Sequence, residues 1–483
     1  MKNIRLSFLP LIACAASLAV VPSIAQVSGA TSRPNIILVM ADDQGWGQTG
    51  YYDHPILKTP NLDAMAANGL RFDRFYAGGP VCSPTRASVL TGRSHDRTGV
   101  YSHGYPLHLQ EKTLPQALQM AGYSTAHFGK WHLNGLRGPG APILASDTHS
   151  PTAFGYDEWL AVSNFFDRNP LLSREGKFED HKGDSSEVVV DEALKHIKRR
   201  GDKPFFVSIW YGTPHSPFVA SADDRAPFSK LNETSQNHYG ELVAMDRSIG
   251  ALRKGLRDMK LAKNTLVWFC SDNGGLKNFG PETVGGLRGF KGSIYEGGLR
   301  VPGIIEWPAG IKPRVTGYPA AVMDIFPTIA AVVGLPKDSM VKPIDGVSLK
   351  ALFTKEIAKR KKPIPFRYNG KGALIDNDHK LIAENYAKGQ FVLYDLANDF
   401  VESKDISGSK PELAARLRKK FESWSATVDA SNAGKDFPGG KLAGHDPGRR
   451  FWKDAPEYKP YLEQLKKRPE YESQFKARKK KKQ

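Results

Sequence analysis

Pro34-Asn-Ile-Ile-Leu-Val-Met40-Ala-Asp42-Asp43-Gln-Gly45 joins an unbroken aliphatic run to a pair of adjacent carboxylates. A run that is apolar at every position, rather than at every second one, is the pattern of a strand buried on both faces of a parallel sheet. Ligands of such sheets gather where the strands open at their carboxyl ends. Asp42 and Asp43 would stand at that end, where two like charges are tolerated only if solvent or a cation neutralises them. The pattern returns at Asn264-Thr-Leu-Val-Trp-Phe-Cys270, which runs into Ser271-Asp272-Asn273. Two strands that each bring a pair of hard oxygen donors to one sheet edge point to a single hard divalent cation between them. Calcium is preferred over zinc, because thiolate and imidazole pairs at zinc spacing are absent, and magnesium stands second.

Outward from these two strands, the chain alternates strand and helix. Strands are expected over Leu70–Tyr76, from Gly122 towards Lys130, over Pro204–Trp210 and over Val301–Glu306. Helices are expected after Thr59, after the cap Thr113, after the cap Asp184, from Tyr239 to Met259 and from Asp324 to Val333. This predicts an α/β domain over residues 31–335, built on a large mixed, mostly parallel sheet flanked by helices. From about Pro336 a proline-rich linker leads to short strands near Ala373, Lys380 and Gln390–Tyr394, then to a helix over Pro411–Val428. Residues 336–430 therefore read as a smaller antiparallel sheet with a packed helix. Residues 431–483 read as a basic, partly disordered tail with little to bury. Residues 134–183, rich in Gly, Pro, Asn and Asp, read as long loops whose aromatics Phe154, Tyr156, Trp159, Phe165 and Phe166 could wall a pocket.

The chain has 483 residues, 40% hydrophobic and 24% charged, with a net charge of +18 that calls for an anionic partner; nucleic acid, sulfated polysaccharide and anionic membrane all qualify. Met1-Lys-Asn-Ile-Arg5, an apolar run from Leu6 to Val21 and Ser23-Ile-Ala25 form a secretory leader over residues 1–25, cut after Ala25. The chain is thus expected to be exported, periplasmic or secreted, with lipid anchoring at Cys14 as a lesser alternative. No other stretch is long and apolar enough to span a bilayer. Cleavage would leave only Cys82 and Cys270 of the 3 cysteines, in a compartment where two exposed thiols could pair.

Cys82 sits in Gly79-Pro-Val-Cys82-Ser-Pro84-Thr-Arg86-Ala-Ser-Val-Leu-Thr-Gly92-Arg93. Pro84 suits a first helical turn and Gly92 a helix end, so Cys82 falls at a helix N-terminus, where free N–H groups favour an anion, with Arg86 one turn on. Three further segments bring polar groups to turns. Gly122-Tyr-Ser-Thr-Ala-His-Phe-Gly129-Lys130-Trp-His132 offers Lys130 and His132. Gly212-Thr-Pro-His215 follows a strand, and Gly285-Gly-Leu-Arg288-Gly-Phe-Lys291-Gly offers Lys291 on backbone that can approach a ligand closely.

Together these residues resemble the formylglycine-dependent sulfatases of the alkaline phosphatase superfamily, over most of residues 34–430. Cys82-Ser-Pro84-Thr-Arg86 with Leu90-Thr-Gly92 looks like the first signature of that family, and Gly122 to His132 like the second. The resemblance implies that a maturation enzyme oxidises Cys82 to formylglycine (3-oxoalanine), which works as its hydrate. It implies calcium held by Asp42, Asp43, Asp272, Asn273 and the side chain at position 82, with Arg86, Lys130, His132, His215 and Lys291 around the sulfate. One hydroxyl of the hydrate would attack sulfur, His215 or Lys291 would protonate the leaving alcohol, and His132 would deprotonate the second hydroxyl to expel sulfate. The implied substrate is a sulfate monoester; the net charge of +18 and the aromatic-bearing loops over residues 134–183 favour an extracellular sulfated carbohydrate over a small aryl ester, and no nucleic acid is expected. The alternatives are a phosphonate or phosphate ester hydrolase on the same fold, and a dead sulfated-glycan-binding protein whose Cys82 stays unmodified.

Overall fold

The computed structural model describes Met1 and residues 33–444 and 446–476. The leader with Cys14, and the tail residues beyond 476, lie outside the described residues. Ten strands form the main sheet: β1 Asn35–Ala41, β2 Leu70–Phe72, β3 Ser124–Lys130, β4 Glu158–Val162, β5 Leu171–Arg174, β6 Lys177–Asp180, β7 Phe205–Trp210, β8 Thr265–Ser271, β9 Gly303–Glu306 and β10 Arg314–Thr316. Their spatial order is β10-β2-β9-β8-β1-β7-β3-β4-β5-β6. The five central strands from β8 to β4 are mutually parallel, and the antiparallel pairs lie outside them.

The continuous apolar reading of β1 follows from its place between β7 and β8. Ile36, Leu38 and Met40 enter one core, together with Ala87, Val89 and Leu90 of the Cys82–Thr91 helix and Ile325, Phe326 and Ile329 of the Ile325–Val333 helix. Ile37, Val39 and Ala41 enter the other, against helices Pro60–Ala67, Ser185–Arg199 and Glu233–Asp258. Each side chain of this one strand is thus covered by helices, which is why alternation is missing from its sequence.

A four-stranded antiparallel sheet (Ile364–Tyr368, Lys371–Asp376, His379–Ala383, Val392–Asp395) carries the helix Pro411–Asn432 against one face. A buried ion triad ties this sheet to the glycine-rich segment near Lys291. Lys380 Nζ lies 2.9 Å from both Glu296 Oε1 and Glu402 Oε1, and Tyr76 Oη donates to Glu296 Oε2 at 3.0 Å.

Two sequence readings are corrected here. Residues 134–183 are not only loops, since they hold β4, β5 and β6. The hairpin between β5 and β6 turns on Glu175 and Gly176, both at positive φ (52° and 98°), in strands too short for their period to stand out. Phe154, Tyr156 and Trp159 are core residues, not pocket walls, whereas Phe165 and Phe166 line a small cleft with Arg168, Pro217 and Tyr471. The segment after 430 also buries more than its composition suggests. Trp452, Tyr458, Leu465 and Tyr471 pack with Leu136, Ala141, Leu144 and Leu171, on short turns that show no hydrophobic period. Tyr458 Oη donates to Pro142 O at 2.8 Å and Tyr471 Oη to Gly140 O at 2.7 Å.

Candidate active site

The parallel register decides what meets at the carboxyl ends of the central strands. Ala41 pairs with Ser271 and Met40 with Trp210, so Asp42–Asp43, Asp272–Asn273 and the His215 turn leave the sheet side by side. Asp42 N–H donates to Thr213 O at 2.8 Å and Asp272 N–H to Ala41 O at 3.1 Å, which fixes these three exits to one another. Lys130 closes the neighbouring strand β3.

Cys82 is the first residue of its helix, all ten residues of which are buried, and Gly92 ends that helix in the left-handed region (φ 71°). Sγ donates to Asp42 Oδ1 at 3.4 Å. Burial first, and then the neighbouring Asp42 charge, push the thiol well above its ordinary value. The sulfur is therefore a neutral thiol at physiological pH and a poor nucleophile as it stands. Arg86, also fully buried, reaches Asp272 Oδ2 at 2.8 Å and Asp42 Oδ2 at 3.8 Å, and lies 5.1 Å over the Trp210 ring. Lys130 Nζ bonds Asp42 Oδ2, and Lys291 Nζ sits 2.6 and 2.7 Å from the two Asp43 oxygens. Although burial opposes it, the field of Lys130, His215, Arg86 and Lys291 holds Asp42 far below the usual carboxylate range.

Lys291 is brought in by the glycine-rich segment, whose backbone lies against the turn that follows Asp272 and Asn273. Gly274 N–H donates to Gly298 O at 3.0 Å, and a Cβ on Gly274 would stand 1.8 Å from Gly297 O. Only glycine permits that approach. His215 donates Nδ1–H to Ser216 O at 2.7 Å, stacks on Phe165 at 4.5 Å, and turns Nε2 towards Asp43 Oδ2 at 3.7 Å. Burial, reinforced by Lys291, lowers its pKa to about 4. His132 is buried at positive φ (58°), with neither ring nitrogen hydrogen-bonded within the protein. Its carbonyl accepts from Ser83 Oγ at 2.7 Å, which ties it to the residue beside Cys82.

The donor set fits a hard cation. Ligand atoms of Asp42, Asp43, Cys82 and His215 all lie within 4.8 Å of one another. Asn273 donates Nδ2–H to Asp43 Oδ1 at 2.8 Å, while its Oδ1 is buried without any hydrogen-bond donor, a cost that a coordinated cation would remove. Asp272 is held apart from the tightest group, one oxygen on Arg86 and the other on Asp43 N–H at 3.1 Å. Asp42, Asp43, Cys82, Arg86, Lys130, His215, Asp272, Asn273 and Lys291 are thus linked by direct contacts at the strand ends, and His132 is tied to them through Ser83.

Three basic residues at the mouth, His103, Arg137 and Arg449, belong to none of the motifs read from the sequence. The interleaving of Gly448-Arg-Arg-Phe-Trp452 was the available signal.

Cys270 faces the core from β8 and, like Cys82, is an unpaired buried thiol. Intact-mass alkylation of denatured, unreduced active protein is expected to label Cys270, and a Cys82–Cys270 disulfide there would contradict the arrangement.

A family model described as Sulfatase matches residues 34–335. N-acetylgalactosamine-6-sulfatase of Sus scrofa is 35% identical over 381 residues, covering 71% of this chain and 70% of its own. Arylsulfatase A of Homo sapiens is 32% identical over 364 residues, covering 66% and 68%. Among solved structures, Ps i-CgsB in complex with k-i-k-neocarrahexaose matches with a TM-score of 0.73 at 25% identity, over 92% of this chain and all of its own. A buried cysteine opening a helix beside two pairs of oxygen donors on parallel strands, and a family match across the whole sheet, converge on one conclusion: the chain belongs to the sulfatase family, enzymes that hydrolyse sulfate esters.

Proposed function

We propose that this sulfatase is exported and releases sulfate from a sulfated carbohydrate, with Cys82 matured to formylglycine and calcium held by Asp42, Asp43, Asp272, Asn273 and position 82. The observation that carries this reading is the state of Cys82, a buried, neutral thiol hydrogen-bonded to a carboxylate inside a shell of cations. Such a sulfur is ill suited to attack, whereas its environment suits an oxygen nucleophile on an anionic ester. Formylglycine hydrate supplies two hydroxyls on one carbon, one to take the sulfuryl group and one whose deprotonation lets sulfate go. Calcium held by Asp42, Asp43, Asp272 and Asn273 would supply positive charge for an anionic ester.

The chain's own residues do the rest. Arg86 and Lys130 hold negative charge as it develops at sulfur, from side chains already fixed by Asp272 and Asp42. His215 and Lys291 flank the same Asp43 carboxylate and are the two groups available to protonate the departing alcohol. His132, with both ring nitrogens free of protein partners, is available to accept the proton of the second hydroxyl. The carbohydrate reading draws on relatives named N-acetylgalactosamine-6-sulfatase, on a structural neighbour solved with a neocarrahexaose, and on the net charge of +18. Export rests on the leader sequence.

The test has two parts. Peptide mass spectrometry of active protein is expected to show residue 82 without sulfur and with an aldehyde, and full activity from a verified thiol would sink the mechanism. A panel of defined sulfated mono- and oligosaccharides is expected to yield free sulfate. Efficient aryl sulfate cleavage with no release from any sugar at low salt would remove the carbohydrate reading, and faster cleavage of a matched aryl phosphonate would change the reaction class.

A further inference from the structure

The late segment of the chain reaches back to the mouth of the site. Arg450–Phe451 pairs in parallel with Leu136–Arg137, with Phe451 opposite Arg137, and Arg450 N–H donates to Gly135 O at 2.9 Å. This two-residue ladder is anchored by Trp452, which is buried next in sequence. The Arg137 guanidinium lies 4.5 Å over the Phe451 ring, and the Arg449 guanidinium 5.3 Å over the Tyr105 ring. Arg449 also donates from Nη2 to His103 Nε2 at 2.9 Å. The His103 loop is in turn pinned beside the nucleophile, since Gly104 N–H donates to Ser83 Oγ at 2.8 Å. Gly104 leaves room for Arg137, whose Cγ would stand 2.6 Å from a Cβ at that position.

The charge of this group is unbalanced. Fully buried arginines of this chain are neutralised, Arg86 by Asp272, Arg97 by Asp345 and Arg360 by Asp324, whereas Arg449 and Arg137 are half-buried. Among the described residues, neither Arg449 nor Arg137 has a carboxylate partner, and Arg449 Nε is buried with no acceptor. Burial, and then Arg449, Arg137, Lys291 and Lys130 in turn, lower His103 to about 4, so the rim and the two catalytic lysines act on one place. Two partly exposed guanidiniums set on aromatic faces without a counter-charge are well prepared for an oxyanion, which they can grip through paired N–H bonds.

We propose that Arg449, Arg137 and His103 form a subsite for a second oxyanion of the substrate, a carboxylate or sulfate on the target sugar or on its neighbour, next to the scissile sulfate. The proposal rests on the reading of the substrate as a sulfated carbohydrate. It assigns to residues beyond the family-model match at 34–335 a part in choosing the substrate.

The experiment compares wild type with Arg449→Met and Arg449→Lys on three sugars: N-acetylgalactosamine 6-sulfate, its 4,6-disulfate, and a disaccharide joining the 6-sulfated sugar to a uronate. The readout is the ratio of kcat/KM on each doubly charged sugar to that on the monosulfate, so a general loss of folding or catalysis cancels. Wild type is expected to favour at least one doubly charged sugar, and Arg449→Met to reduce that ratio at least tenfold, mainly through KM. Arg449→Lys should recover part of it. Which sugar responds tells sulfate from carboxylate. Should wild type cleave 4-nitrophenyl sulfate but none of the sugars, the carbohydrate reading fails on its own, and the subsite is read from the same three sugars as competitive inhibitors. A ratio, or an inhibition preference, that Arg449→Met leaves unchanged overturns the subsite in either case.

Discussion

Cys82→Ser is expected to lower steady-state turnover by roughly three orders of magnitude or more, while a single burst of one alcohol per enzyme molecule survives. Serine carries one hydroxyl where the matured side chain would carry two. Its oxygen can still accept the sulfuryl group, because Asp42 Oδ1 lies 3.4 Å from the atom at that position and the Arg86 and Lys130 charges stay where they are. The resulting ester has no neighbouring hydroxyl to lose a proton, so sulfate leaves only by slow attack of water. Stopped-flow release of 4-nitrophenol separates the two phases, with Cys82→Ala showing neither. Near-wild-type steady turnover by a sequence-verified Cys82→Ser protein would refute the double-hydroxyl account.

Chelation is expected to abolish activity and to lower the thermal midpoint by several degrees, with both restored by calcium. A ligand present at a hundred times its dissociation constant contributes about 2.7 kcal/mol to the folded state. The destabilisation should also depend on pH, in a direction that the site fixes. Burial first, and then Asp42, raise Asp272 from its ordinary 3.8 to about 7 in the cation-free protein. A carboxyl with a raised folded pKa contributes its full stability below the unfolded value and loses it as pH rises through the folded one. The gap between chelated and calcium-loaded midpoints should therefore widen from pH 5 to pH 8. Equal midpoints across that range, with no calcium or magnesium found by elemental analysis of active protein, would exclude a resident cation.

The chemistry-bearing parts were legible because they lie at the ends of strands whose burial is total. Residues 36–41 of β1 and 266–270 of β8 are apolar at every position, and the register of their strands carries Asp43 and Asp272 into contact whatever the loops between them do. The Cys82 helix was marked by Pro84 and Gly92, two residues with fixed local meaning. Sequence was silent where pairing is brief and distant. The Arg450–Phe451 strand has two residues, and its partner lies more than three hundred positions earlier, so neither carries a period. The stacking of Phe165 on His215 likewise joins two turns with no shared pattern. The basic tail looked unburied because its aromatics are spread along short turns that carry no hydrophobic period.

The strand that opens the described fold stands at the centre of the sheet, and this sets a clock for the newly made chain. β1 gains one of its two neighbours only when β8 has been synthesised, and Asn273 is 230 residues beyond the Asp43 that it bonds. At about 5–20 residues per second, that distance takes on the order of ten to fifty seconds to translate. During this interval the Cys82 segment has no completed sheet to bury it, although it is inaccessible in the finished protein. On the proposed maturation, oxidation of Cys82 would compete with the arrival of a strand, and slower elongation between residues 90 and 270 should raise the fraction of chains that fold already matured.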